Sequence, residues 1–245
     1  MPVPHSAPAA AVSTVRPQAL LFDLDDTLWP IAPVIVAAEL TLHEWLAEHA
    51  PKVAAAYTIA VLRERRMALL AERPELHIDL AALRRAALLA AFDEAGEDGA
   101  LVDGAMRHFS AARNAVTPYD DVLPGLARLA EKITLGSISN GNADLAVVGL
   151  DHHFKVSLAA SQFGLAKPDP AIFLAACDAL GVPPAAAIYV GDDPHLDVEG
   201  AQRAGLRAVW MQRSADARLP DGIVPDAICT DLDGLLAWLA SQLQP

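Results

Sequence analysis

Ala19-Leu20-Leu21-Phe22-Asp23-Leu24-Asp25-Asp26-Thr27 is the stretch that decides the fold. Its apolar run ends abruptly in acids, as a buried parallel strand does when it delivers side chains to a site at its carboxyl end. After Trp29-Pro30 the pattern turns helical over 34–48, 52–72, 80–94 and 101–113, with breaks at Pro51, Pro74 and the turn between Gly96 and Gly99. No credible strand interrupts that block. Alternation then resumes: helix 123–131, strand 133–139, helix 143–150, a short strand around Val156, helix 170–180, strand 187–191, helix 196–204, strand 207–211, a last strand near 227–229 and helix 232–243. Strands alternating with helices of this length imply right-handed crossovers and a Rossmann-like, doubly wound parallel α/β sheet. The helical block enters directly after the first strand, so it should emerge over the carboxyl ends of the strands and act as a lid. The expected division is a flexible Pro/Ala/Ser-rich tail over 1–18, an α/β core over 19–30 and 118–245, and a helical domain over 31–117.

Composition agrees with that class. The 245 residues are 53% hydrophobic and only 5% aromatic, with an apolar fraction that leans on alanine and so on packed helices. Eighteen bases against 31 acids give a formal charge of −13, and no Lys/Arg block tracks a phosphate backbone, which argues against a nucleic-acid partner. Cys177 and Cys229 lie far apart without metal-ligand spacing and read as buried thiols in a reducing cytoplasm. No apolar run is long enough for a bilayer, and the first 18 residues lack the basic start and apolar centre of a signal peptide, so no membrane partner is expected.

Three strand ends finish in groups that could not be buried without a partner: Asp23 to Thr27, Ser139-Asn140-Gly141, and Gly191-Asp192-Asp193 with Asp197 beyond. Carboxylates converging on one edge repel each other, and the usual resolution is a hard divalent cation held by oxygens, with magnesium sharing the site with a phosphate. Lys167-Pro168-Asp169 adds a positive charge to the same rim.

These segments together resemble the haloacid dehalogenase superfamily. Phe22 to Leu28 is similar to its first motif, Ile138 to Gly141 to its second, Lys167-Pro168-Asp169-Pro170 to its third, and Gly191-Asp192-Asp193 through Asp197 to Ala201 to its fourth. The helical block resembles the family's four-helix cap of the first type. The resemblance implies that Asp23 is the nucleophile forming an aspartyl phosphate and that Asp25 is the general acid and then the base. It also implies that Mg2+ is held by Asp23, the Asp25 backbone carbonyl and Asp192, with Asp193 a further or water-mediated ligand. Ser139, the Asn140 backbone amide and Lys167 would bind the transferring phosphoryl group, Thr27 would fix the first loop beside it, and Asp197 would orient Lys167.

Within the resemblance, dehalogenases lack a carboxylate two places after the nucleophile, so Asp25 points to a phosphatase acting on a small phosphorylated metabolite such as a phosphoribityl, nucleotide or sugar phosphate. A phosphosugar mutase shares the Asp23/Asp25 pattern, and an inactive phosphate-binding module is the non-catalytic alternative. Asp151-His152-His153 is read as a surface turn, and Arg63 to Arg66 and Arg84-Arg85 as salt-bridged helix faces, although the arginines could instead meet a second anionic group of the substrate. Arg113-Asn114, where the block returns to the core, is better placed for substrate contact. Trp29 could stack on a ring or pack at the hinge.

Overall fold

The computed structural model describes residues 15–243. Its sheet contains β1 (Ala19–Phe22), β2 (Thr134–Ser139), β3 (Val156–Ala159), β4 (Ala187–Gly191), β5 (Arg207–Met211) and β6 (Ala227–Cys229), in the order β3-β2-β1-β4-β5-β6 with every pairing parallel. β1 lies centrally between β2 and β4, so the strand that carries the acidic run is buried on both faces and flanked on both sides. The order reverses direction at β1, which is where such sheets leave a crevice for ligands.

Between β1 and β2 stand α1 (Ile31–His49), α2 (Pro51–Ala56), α3 (Ile59–Glu72), α4 (Leu80–Ala95), α5 (Val102–Arg113) and α6 (Val122–Ala130). The remaining helices are α7 (Leu145–Val148), α8 (Ala160–Phe163), α9 (Pro170–Leu180), α10 (Gly200–Arg203) and α11 (Leu232–Gln242). Because successive strand side chains point to opposite faces, Leu20, Phe22, Ile188 and Val190 pack against Leu126 and Leu129 of α6 and Leu232, Leu235 and Leu239 of α11. Ala19, Leu21, Tyr189 and Trp210 turn the other way, onto Ile172 and Phe173 of α9 and Ala201 of α10. Each fully buried side chain of this size contributes about 1.5–3 kcal/mol, and the two layers clamp the strand ends from both sides.

The segment α1 to α5 has a core of its own, built from Ala38, Leu42, Trp45, Leu46, Leu88, Phe92 and Phe109. It leaves the sheet after Leu28 and comes back beside it, where the Tyr119 N–H donates to the Leu28 carbonyl at 3.0 Å. Gly104 lets α5 approach α1, since a Cβ there would lie 2.7 Å from the Trp45 ring.

Several sequence expectations are corrected. The helix expected over 52–72 is two helices, because Tyr57 takes an extended backbone and the Thr58 hydroxyl accepts from the Val61 N–H, starting a new helix where propensity alone would have continued the old one. The helix expected over 143–150 shrinks to α7, since Asp144 caps Ala146 and Val147 and Gly149, at φ 82°, ends it. That expected over 196–204 starts earlier with a wide π-type turn, Pro194–Glu199, before α10. The short α8 was not anticipated. Of the tail assigned to 1–18, residues 1–14 lie outside the described residues; Val15 to Gln18 are tied to the core, the Val15 carbonyl accepting from Arg207 and the Gln18 N–H donating to Ala186 at 2.8 Å.

Most of the arginines read as salt-bridged are so: Arg63 and Arg66 with the buried Glu39, Arg65 with Glu94, and Arg85 with Asp103. Arg84 is the exception, buried over the Phe109 ring with no salt bridge among the described residues. Both cysteines are buried and free, their thiols pushed up to about 11 by burial. No helix among the described residues is long and apolar enough to cross a membrane. Gly104→Ala is expected to cost about 1–3 kcal/mol, read from denaturant unfolding, because the added methyl meets the rigid Trp45 ring instead of open space.

Candidate active site

The acidic run folds into a tight loop as soon as β1 ends. The Asp23 N–H is still paired with the Val190 carbonyl, but Asp26 sits in the left-handed region at φ 57°, and its carboxylate accepts from the Ile31 N–H at 2.9 Å, starting α1. Asp is among the residues that tolerate this conformation, because its short polar side chain bonds locally. The consequence is a separation of the two acids that flank Leu24. Asp23 is directed to a cluster under the sheet edge, and Asp25 to the helical segment.

Asp23 is 7% exposed and Lys167 4%. The Lys167 ammonium donates to Asp23 Oδ1 at 2.6 Å, to Asp197 Oδ1 at 2.7 Å and to the Tyr189 hydroxyl at 2.9 Å, which uses all three of its protons. Burial alone would pull the lysine pKa down, but the carboxylates of Asp197 and Asp23 outweigh it and leave the ammonium above its ordinary range. Burial pushes Asp23 well up from the ordinary carboxylate range, partly offset by Lys167 and reinforced by the negative charges of Asp197 and Asp192. Asp192 is pushed up to about 7, by burial first and then by Asp197, against the stabilising Thr27 hydroxyl, which donates to its Oδ1 at 3.1 Å. Thr27 therefore ties the first loop to the fourth.

Ser139 ends β2, and its hydroxyl oxygen accepts the Gly141 N–H at 3.0 Å, leaving the hydroxyl proton free to donate. The Asn140 side chain clamps the backbone of Lys167 in both directions, donating to its carbonyl at 2.9 Å and accepting from its N–H at 2.8 Å. Glycine is needed at 141 and 191 for space. A Cβ at Gly141 would lie 2.5 Å from Asp25 Oδ2, and one at Gly191 would lie 2.3 Å from Asp197 Oδ2. Asp193 spends its carboxylate on capping the turn that follows, accepting from the His195 and Leu196 N–H groups at 2.8 Å each, while its own N–H donates to Asp197.

Oxygens of Asp23, Asp192 and Asp197 lie within 4.8 Å of one another, a donor set of the hard type that suits a divalent cation. Three carboxylates face one ammonium here, and the raised Asp23 and Asp192 mark the negative excess that a cation would neutralise. Asp197 is the most occupied of the three, with both oxygens already bonded by Lys167 and the Asp193 N–H. The residues present fit a metal site centred on Asp23 and Asp192.

Three members of the site were missed or misplaced by sequence reasoning. Tyr189 lies inside an apolar strand, and its hydroxyl supports Lys167 while donating to the Ile138 carbonyl. Trp29 neither stacks on a ring nor serves as packing alone; it is fully buried and its Nε1–H donates to Asp25 Oδ1 at 2.8 Å. Arg113, at the end of α5, reaches Asp25 with Nη2 at 2.7 and 2.6 Å from its two oxygens. Spacing could suggest only Trp29, four residues from Asp25. His152 and His153 form a short turn with rings 4.0 Å apart, away from the one metal-competent group among the described residues.

A raised carboxyl pKa means that the folded protein binds a proton the unfolded chain has already released, so stability falls as pH rises toward the folded value. The cation-free protein should lose thermal stability from about pH 5 to about pH 7, and Asp192→Asn should flatten that slope. Melting curves across this range, with and without chelator, check it; a slope unchanged by the substitution counts against the assignment.

Comparison with known proteins places this geometry in a family. A model for haloacid dehalogenase-like hydrolases matches residues 17–205. The 5-amino-6-(5-phospho-D-ribitylamino)uracil phosphatase YigB of Escherichia coli (strain K12) is 32% identical over 201 residues, 80% of this chain and 84% of that protein. Among solved structures, 2-haloacid dehalogenase from Pseudomonas syringae pv. Tomato DC3000 superposes with a TM-score of 0.86 at 40% identity, over 93% of this chain and 100% of that one. A HAD phosphatase from Thermococcus onnurineus gives a TM-score of 0.68 at 25% identity, over 91% and 97%. With the family model spanning β1 to β4 and the strand-end loops described above, the chain belongs to the haloacid dehalogenase-like hydrolases.

Proposed function

We propose that this hydrolase is a Mg2+-dependent phosphomonoesterase that works through an aspartyl-phosphate intermediate. The observation that carries the reading is the Asp25 carboxylate, held by Trp29 and Arg113 apart from the Lys167 cluster. An alkoxide leaving from phosphorus needs a proton, and a carboxyl group placed to one side of the nucleophile can give it. Asp23 Oδ1 is bound to Lys167, so Oδ2 attacks phosphorus; the new O–P bond forms as the ester P–O bond breaks, and Asp25 transfers its proton to the departing oxygen. Asp25 then takes a proton from water, whose oxygen attacks the aspartyl phosphate and releases inorganic phosphate, restoring both carboxyl groups. The Ser139 hydroxyl and the Asn140 backbone amide donate to the phosphoryl oxygens, and Lys167, whose three protons are taken by Asp23, Tyr189 and Asp197, adds its positive charge beside them. A magnesium ion on Asp23, Asp192 and the Asp25 carbonyl would supply the charge compensation that lets a dianionic ester approach these acids.

The helical segment, assigned to 31–117, acts as a cap that selects the alcohol part of the substrate. The similarity to YigB supports a phosphorylated ribityl compound or a related small metabolite, and the two buried thiols suit a reducing cytoplasm. Dehalogenation is the second reading, favoured by the 40% identity to the Pseudomonas syringae dehalogenase. A halide leaves without a proton, so that reaction gives the held Asp25 no task in bond cleavage.

Phosphate release from a panel of phosphometabolites with Mg2+ tests the proposal. Asp23→Asn should lower turnover more than ~10³-fold and Asp25→Asn ~10²–10⁴-fold. Chelation should abolish activity and added Mg2+ restore it. Halide release from 2-chloropropionate in place of phosphate release would overturn the reading.

A further inference from the structure

We propose that Arg113, which belongs to the helical segment and not to the sheet, is the positioning residue for the acid/base Asp25, so that the site suits esters of aliphatic alcohols. The inference rests on the phosphatase reading and deepens it. Arg113 is the last residue of α5 and is 3% exposed; its Nη2 lies 2.7 and 2.6 Å from the two Asp25 oxygens, 88 residues away in sequence. Trp29 Nε1 fixes Asp25 Oδ1 from another direction, so the carboxylate plane has two donors and cannot rotate without losing one. The Arg113 guanidinium also reaches the second strand-end loop, since a Cβ on Gly141 would meet Arg113 Nη2 at 3.3 Å, Ser139 Oγ at 3.2 Å and Asp25 Oδ2 at 2.5 Å.

The Arg113 Nη1 is buried without a protein acceptor, as is one guanidinium nitrogen each of Arg65, Arg84, Arg207 and Arg213, so what sets Arg113 apart is its hold on both Asp25 oxygens. Its neighbour Arg84, from α4, lies over the Phe109 ring one turn earlier on α5 and is pushed down to about 9, by burial first and then by the charge of Arg66, against the opposing charge of Glu39. Among the described residues Asp25 is the carboxylate with which Arg113 forms a salt bridge. The arrangement orients the one oxygen pair from which a proton can pass to the ester oxygen as the P–O bond breaks. That transfer matters for an alkoxide leaving group and little for a nitrophenolate, which departs unprotonated.

The test uses the full chain with Mg2+ and two esters of similar size, benzyl phosphate and p-nitrophenyl phosphate. Arg113→Met should lower kcat/KM about 100-fold on benzyl phosphate and less than about 10-fold on p-nitrophenyl phosphate, with Arg113→Lys intermediate. The ratio between esters is taken within one preparation, so an unfolded fraction cancels. In an Asp25→Asn background, Arg113→Met should change benzyl phosphate turnover by less than about twofold. Equal losses on both esters, no loss on either, or a further large loss in the Asp25→Asn background would overturn the role of Arg113. If the wild type cleaves neither ester, or Asp23→Asn leaves cleavage unchanged, the phosphatase reading itself has failed.

Discussion

Three carboxylates could not share one edge of a parallel sheet without a counter-charge, and the Lys167 ammonium supplies the one that the chain itself carries. It draws on the loop after β3, the nucleophile candidate at the end of β1, Asp197 beyond β4 and the Tyr189 hydroxyl inside β4, so one buried cation binds three separate parts of the fold to one point. Removing the amine while leaving the acids would strand buried charge, and such losses are typically among the largest single-residue effects in a protein, about 3–5 kcal/mol. The two glycines at 141 and 191 keep the neighbouring backbone close enough for the cluster to close.

The ammonium does not neutralise the cluster. Asp23 and Asp192 stay raised because burial and mutual repulsion exceed what one lysine returns. That residual negative charge, within a chain that already carries −13, is what turns an acidic protein into a candidate for anionic ligands, since a divalent cation would reverse the local sign. Asp25 stands outside this arrangement. Its partners are an indole and a guanidinium, so two acids two positions apart in the motif meet different physical surroundings.

Much of this was legible in order along the chain. The β1 run, the parallel alternation and the acidic strand ends are local patterns; β1, β2, β4, β5 and β6 fell at or within a residue of their expected bounds, and β3 begins at the expected Val156, because apolar runs bounded by Gly, Pro and acids leave little freedom. The helix break at Tyr57-Thr58 was hidden because an alanine-rich stretch has good propensity on both sides, and only the Thr58 cap and the Tyr57–Glu94 hydrogen bond show why it stops. Arg113 could be placed near the site from where the helical block returns to the core, but not its partner Asp25, 88 residues away, and Tyr189, 22 residues from Lys167, was illegible because nothing in an apolar strand announces such a contact. Asp193 reads in sequence as one more ligand candidate, yet its capping role emerges only once the turn after it is seen to be π-type.

The return of the chain at Tyr119 beside Leu28 bears on how such a protein can change over time. Because the two ends of the helical insertion are hydrogen-bonded neighbours, the insertion behaves as a loop whose closure is already satisfied, whatever its length or packing. With its own core of Leu42, Trp45, Phe92 and Phe109, it can drift in sequence, or be exchanged whole, with little strain passed to the sheet. The Arg113 contact sets the limit on that freedom. Replacing the insertion whole would also carry away a partner of Asp25, so change in this segment is coupled to a carboxylate at the sheet edge through one side chain.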